Sequence, residues 1–138
     1  MTLSEAIDYA SAALAGKTEK NGNPYIDHSL RVMDKMQTEE EKLVAIFHDV
    51  VEDSECTFRD LRDLGLPRNV MEAIETLTKR SDMTYFDYID DVRWNELACK
   101  VKIAEIEDNQ DIFRVNKMSF QTYTPAKRAE KALAILRG

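Results

Sequence analysis

The 138-residue chain fits a single domain over 1–138, long enough to bury around two-thirds of its unfolded surface. With 43% hydrophobic and 33% charged residues it is not a disordered tail, and no apolar run nears the ~18 residues of a membrane span. A net charge of −7 argues against a nucleic-acid partner, and 4 Gly with 3 Pro are too few for the turns of a β-sandwich or barrel.

Helix-start signals recur along the chain. Thr2/Glu5, Thr38/Glu41, Thr57/Asp60 and Thr84/Asp87 each place a capping hydroxyl three residues before an acid. Pro67 and Pro125 suit the first turn of a helix. With the apolar periodicity these signals predict helices near 3–15, 25–36, 39–52, 57–64, 67–78, 84–93, 95–109 and 125–137. The fold class is therefore all-α, a bundle of about seven to eight helices. Gly65 acts as a stop between two of them. The polar stretch 17–23, with Asn21-Gly22, reads as a plain loop because no alternating apolar strands flank it. The N-terminus carries Glu5 and Asp8 and no basic stretch before an apolar core, so no secretion signal is expected. Cys56 and Cys99 lack CxxC or zinc spacing and read as reduced thiols of a cytoplasmic protein.

The segment 39–52 is apolar around most of its circumference (Leu43, Val44, Ile46, Phe47, Val50, Val51), so it should be buried. Yet His48, Asp49, Glu52 and Asp53 crowd its C-terminal end. Asp49 and Asp53, one turn apart, repel each other, and all three carboxylates sit where the helix dipole disfavours negative charge. Burying them unpaired costs several kcal/mol, which a divalent cation can offset, with His and Asp as fitting ligands. The plain alternative is a frayed last turn with solvated acids. The one other histidine, His28, lies just inside the 25–36 helix beside the apolar set Ile26, Leu30, Met33 and Met36.

Five blocks carry a resemblance. They are Lys20-Asn-Gly-Asn-Pro-Tyr-Ile-Asp-His28, Ala45-Ile-Phe-His48-Asp49-Val-Val-Glu52-Asp53, Leu77-Thr78-Lys79, Tyr85-Phe-Asp-Tyr88-Ile and Val101-Lys-Ile-Ala-Glu105-Ile-Glu-Asp-Asn109. In this order they resemble the HD-domain metal-dependent phosphohydrolases, above all the hydrolase domain of the bifunctional alarmone (ppGpp) enzymes and their small stand-alone relatives. The resemblance implies an all-helical fold and one divalent ion, Mn²⁺, held by His28, His48, Asp49 and a later acid. It also implies a catalytic pair, Glu52 and Asp53. The later acid is an Asp in the family, four residues before an Asn; here that position is Glu105, with Asn109 one turn on and Asp108 as a rival. Trp94, Ala98, Val101, Glu105 and Asn109 form a stripe at helical spacing that points Glu105 inward. Lys20, Asn109 and Arg128 would hold a small phosphorylated, nucleotide-like substrate. No membrane or nucleic acid is expected as a partner, and the sequence leaves the oligomeric state open.

Three departures bear on the substrate. The family's Arg-Lys pair is Glu19-Lys20 here, and a glutamate cannot stack on guanine as a guanidinium does and repels phosphate. Leu14 stands in place of a family His, and Ala132 in place of an aromatic one turn after Arg128. The residues thus point to metal-dependent hydrolysis of a phosphate ester on a nucleotide pyrophosphate, with ppGpp itself turned over poorly. The alternative is a degenerate HD domain that binds a nucleotide or a protein partner without catalysis, for which Glu19 and Glu105 speak.

Overall fold

Threonine caps start four of the helices. Thr2, Thr38 and Thr57 each accept the backbone amide three residues on, and the acid there bonds back to the threonine's own amide. Thr84 accepts from the Asp87 amide in the same way. The computed structural model describes residues 1–115 and 123–138, with the side chains of 1–111 and 127–138. Its elements are α1 (Leu3–Ala13), α2 (Ile26–Asp34), α3 (Glu39–Phe47), α4 (Val50–Asp53), α5 (Phe58–Asp63), α6 (Arg68–Leu77), α7 (Tyr85–Arg93), α8 (Glu96–Val115) and α9 (Tyr123–Arg137). The eight expected helices are all present, the third as two pieces, and α8 runs past 109 to Val115. Gly65 follows the C-cap of α5 at φ +79°, in the left-handed region that a side chain resists. Among the described residues no helix is long and apolar enough to cross a membrane.

The helix expected over 39–52 is broken at His48-Asp49. Asp49 sits at φ −110°, ψ −3°, at the edge of the right-handed region and away from regular helix angles, and α4 restarts at Val50. The break has two consequences. It brings Oδ2 of Asp49 to 2.8 Å from Nε2 of His48, whereas neighbours on an unbroken helix diverge by ~100°. It also leaves Glu52 and Asp53 in a single four-residue turn, too short to build the dipole penalty expected at the end of a long helix.

The stretch read as a plain loop is more ordered than that. Thr18 and Pro24 form an antiparallel bridge, and the Glu19 amide donates to the Asn23 carbonyl at 2.8 Å. Gly22, at φ +89°, closes the turn by donating to the Glu19 carbonyl. Asn-Gly turn chemistry is sufficient here without apolar strands on either side.

Helix α3 is the axis of the core, packed by α1, α2, α6 and α8. Leu43, Val44, Ala45, Ile46 and Phe47 are all buried, and Leu14 joins the same core. The inward stripe of α8 is Ala98, Val101, Ala104, Glu105 and Asp108. Two positions of the expected stripe fall outside it. Trp94 is 75% exposed, because it caps α7 and precedes α8, and Asn109 is exposed too.

Glu41 ties α3 to α8. Its Oε1 accepts the amides of Gln37 and Thr38, and its Oε2 lies 2.8 Å from Nζ of Lys100. Lys100 foremost, with the two amides, outweighs burial and holds the Glu41 carboxyl at about 2. A carboxyl held below its ordinary 4.5 contributes stability that is complete above that value and lost as pH falls toward about 2. Lys100 is partly exposed, so Glu41→Gln should cost only about 1 kcal/mol at neutral pH. Its melting temperature should converge on the parent's in acid. An equal gap at both pH values would contradict this account of the tie.

Candidate metal centre

Three helices converge on one buried cluster. His28 comes from the first turn of α2, His48 ends α3, Asp49 sits at the break, and Glu105 faces inward from α8. One ligand atom from each lies within 4.8 Å of the others. Asp49 Oδ2 is 3.8 Å from Nε2 of His28, and Glu105 Oε1 is 3.9 Å from Nε2 of His48. The two imidazole rings are 5.4 Å apart between centroids.

Both Nε2 atoms are buried and neither makes a well-aligned hydrogen bond among the described residues, although Nε2 of His48 lies 2.8 Å from Oδ2 of Asp49. Nδ1 of His48 lies 2.5 Å from the Ala45 carbonyl. A carbonyl only accepts, so Nδ1 carries the proton in the neutral ring and the Nε2 lone pair faces the cluster. Tyr25 donates its hydroxyl to Oδ2 of Asp49 at 2.9 Å. Burial, and then Asp49 itself, push that phenol well above its ordinary range, so it remains a donor. Oε2 of Glu105 lies 2.8 Å from Nζ of Lys102, leaving Oε1 for the cluster.

The field of the site calls for positive charge. Burial alone would lower the pKa of His48, but Asp49 and Glu105 overcome it and raise it to about 9. Burial would raise the Asp49 carboxyl, yet the two histidines hold it far below the usual range. A proton on His48 answers that field, and a divalent cation answers it more fully. Two orphaned imidazole nitrogens and two carboxylates are a donor set that fits such an ion.

Glu52 and Asp53 stand on α4, next to this cluster. Desolvation, with the charge of Asp49, raises both carboxyls. Oε1 of Glu52 accepts the Lys79 amide at 2.6 Å, which anchors it from the loop after α6. Both acids line a cleft of about 870 Å³ together with Lys17, Tyr9 and Cys56.

On the far side of His28 lies a second set of charges. Nδ1 of His28 is 2.7 Å from Oδ2 of Asp108. Arg31 grips Asp108 with Nε at 2.8 Å and Nη2 at 3.0 Å, and Nη2 also pairs with Glu19. Burial would raise the Asp108 carboxyl, but His28 and Arg31 bring it down to about 2. The favoured reading of Glu105 over Asp108 keeps its register here, and one expectation, that of Glu19, changes. Asp108, the rival of Glu105, is turned to the other edge of the His28 ring. Glu19 does not present a bare charge, since its side chain is 7% exposed and paired with Arg31.

Lys20, Asn109 and Arg128 are exposed and are not part of the buried cluster. Arg128 lays its guanidinium 4.2 Å over the Tyr85 ring. Sequence reasoning missed Arg31, Lys102 and the Lys79 amide. The i,i+3 spacing of Lys102 and Glu105 was a usable signal. Arg31 and Asp108 are 77 residues apart, and nothing local links them.

No family model matches the chain. It is 33% identical over 89 residues to the bifunctional (p)ppGpp synthase/hydrolase SpoT of Escherichia coli (strain K12), a stretch that is 62% of this chain and 12% of SpoT. Nucleoporin nup132 of Schizosaccharomyces pombe is 30% identical over 90 residues, 64% of this chain and 8% of that protein. Because a nucleoporin matches at nearly the same identity, percentage identity alone does not carry the likeness. In fold the chain is similar to a metazoan ortholog of SpoT that hydrolyzes ppGpp and plays a role in starvation responses. That superposition has a TM-score of 0.81 at 21% identity and covers 99% of this chain and 85% of the other. The chain resembles ppGpp hydrolases in sequence over part of its length and in fold over nearly all of it.

The Glu19–Arg31 pair makes a prediction for a substitution that would imitate the alarmone enzymes. Glu19→Arg should set two guanidinium groups against each other in a mostly buried place. We expect a loss of about 1–3 kcal/mol, read as a lower denaturation midpoint. An unchanged midpoint would mean that Glu19 stands free of Arg31 in solution.

Proposed function

We propose that the chain is a metal-dependent phosphohydrolase acting on a nucleotide pyrophosphate. One divalent ion, Mn²⁺ by resemblance, would be held by His28, His48, Asp49 and Glu105. The observation that carries this reading is the pair of buried, unpartnered Nε2 atoms converging with two carboxylates. When bound, the ion would polarise a phosphoryl oxygen and make a nearby water more acidic.

The protein's own part is proton handling and positioning. Glu52 or Asp53 takes the proton of the attacking water and returns one to the leaving oxygen. The water oxygen bonds to phosphorus, the ester P–O bond breaks, and the alcohol leaves protonated. Because Lys79 holds Oε1 of Glu52, its Oε2 is the atom available for this transfer. Lys102, beside Glu105, adds a buried positive charge next to the phosphoryl position. Lys20, Asn109 and Arg128 serve as the outer contacts for phosphate and nucleoside.

Arg31 cancels most of the repulsion that Glu19 threatened, but Glu19 still offers no flat cation for a guanine. This supports poor turnover of ppGpp beside other nucleotide pyrophosphates. The complete Glu52–Asp53 pair weighs against a domain that only binds.

A nucleotide panel assayed with Mn²⁺ tests the reading, with hydrolysis of at least one nucleotide pyrophosphate expected and a chelator abolishing it. Glu52→Gln and Asp53→Asn should each lower kcat by roughly 10²–10⁴-fold while the metal content stays constant. If both substitutions strip the metal, the division of roles is wrong. Without an ion, desolvation and the Asp49 charge raise both carboxyls, and a bound divalent cation would oppose that shift. The base works ionised, so the rate should climb with pH along an acidic limb, and removing the responsible acid should remove that limb.

A further inference from the structure

We infer that Asp108 is a positioning residue that fixes the tautomer of His28, so that its Nε2 lone pair is aimed into the metal centre. The inference rests on the metal reading proposed above and goes beyond it. Neither Asp108 nor Arg31 is a ligand there.

The geometry around Asp108 leaves His28 one choice. Oδ1 receives Nε of Arg31, and Oδ2 receives Nη2 of Arg31 together with Nδ1 of His28. Arg31 has only donors, so both oxygens of Asp108 remain acceptors. In the neutral ring Nδ1 of His28 must therefore carry the proton, which leaves the lone pair on Nε2. That atom is buried, without a hydrogen-bond partner among the described residues, and faces Asp49 Oδ2 at 3.8 Å. The neutral ring of His48 is held in the same tautomer by another route, through the Ala45 carbonyl. A backbone carbonyl within its own helix serves one histidine, and a carboxylate from α8 serves the other.

Glu19, His28 and Asp108 could also be taken for a second cation site, since their atoms lie close together. Arg31 excludes that. Its guanidinium already bridges Glu19 and Asp108 and supplies the positive charge such a site would need. Asp108 thus acts on the metal centre only through the imidazole. Outer partners of this kind typically set metal affinity by 10–100-fold.

The test uses the full ¹⁵N-labelled chain, which has two histidines. Long-range ¹H–¹⁵N spectra of the metal-free protein, at a pH where His28 is neutral, should show Nδ1 protonated and Nε2 bare. Titration with Mn²⁺, followed by the resonance of the free ion, should give one bound ion for the parent. Asp108→Ala should weaken binding by about 10–100-fold. Asp108→Asn, whose amide oxygen can still accept from Nδ1, should restore most of it. A proton on Nε2 of His28 in the parent overturns the inference, as does unchanged affinity in a folded Asp108→Ala protein. If Asp108→Ala does not fold, the parent spectrum still decides the tautomer. A parent that binds no Mn²⁺ at all overturns the metal reading and this inference together.

Discussion

Two carboxylates, Asp49 and Glu105, are buried against each other's field between α2, α3 and α8, and the surrounding structure answers that negative charge. Burying carboxylates costs several kcal/mol each unless donors or cations meet them. Here Tyr25 gives a hydroxyl, Lys102 an ammonium, and the two histidines present the ring nitrogens that complete the cluster. None of this would be affordable on a loose scaffold. Helix α3 supplies the stiffness, because its buried apolar run leaves no slack in which His48 could swing away.

The break at His48-Asp49 turns the end of a helix into part of the buried cluster. A continuous helix would place the two side chains on diverging radii and leave three acids at the wrong end of its dipole. With Asp49 held off regular helix angles, the imidazole and the carboxylate meet, and the acids of α4 line the neighbouring cleft. Departures from regular geometry of this sort are where folds commonly place their chemistry.

Charges alternate outward from His28. Asp108 is negative, Arg31 positive and Glu19 negative, and each is paired with the next, through one oxygen in the case of Glu19. This row of charges ties the 17–25 turn to α8 through the side chain of Arg31, beside the backbone bonds that join the turn to α2. It also gives Glu19 a structural partner, so a residue that looks like a defect beside the alarmone enzymes is part of a connected set.

Much of the fold was legible because its determinants are local. The threonine caps, the Gly65 stop and the helical periodicity act within a few residues, and the all-α class follows from them with the scarcity of turn residues. His28, His48, Asp49 and Glu105 were readable as one group because the sequence carries the blocks of a known pattern and an acid cluster too charged for its apolar helix. The tertiary structure decided what depends on distant partners. Which of Glu105 and Asp108 faces the cluster depends on where Arg31 lies, 77 residues from Asp108. Glu19 keeps or loses its charge to solvent by the same partner, and Trp94 faces water because α7 ends beneath it. Periodicity selects the face of a helix that is buried. It does not select the neighbouring charge that face will meet, because electrostatic pairing in a low-dielectric interior is set by positions in space.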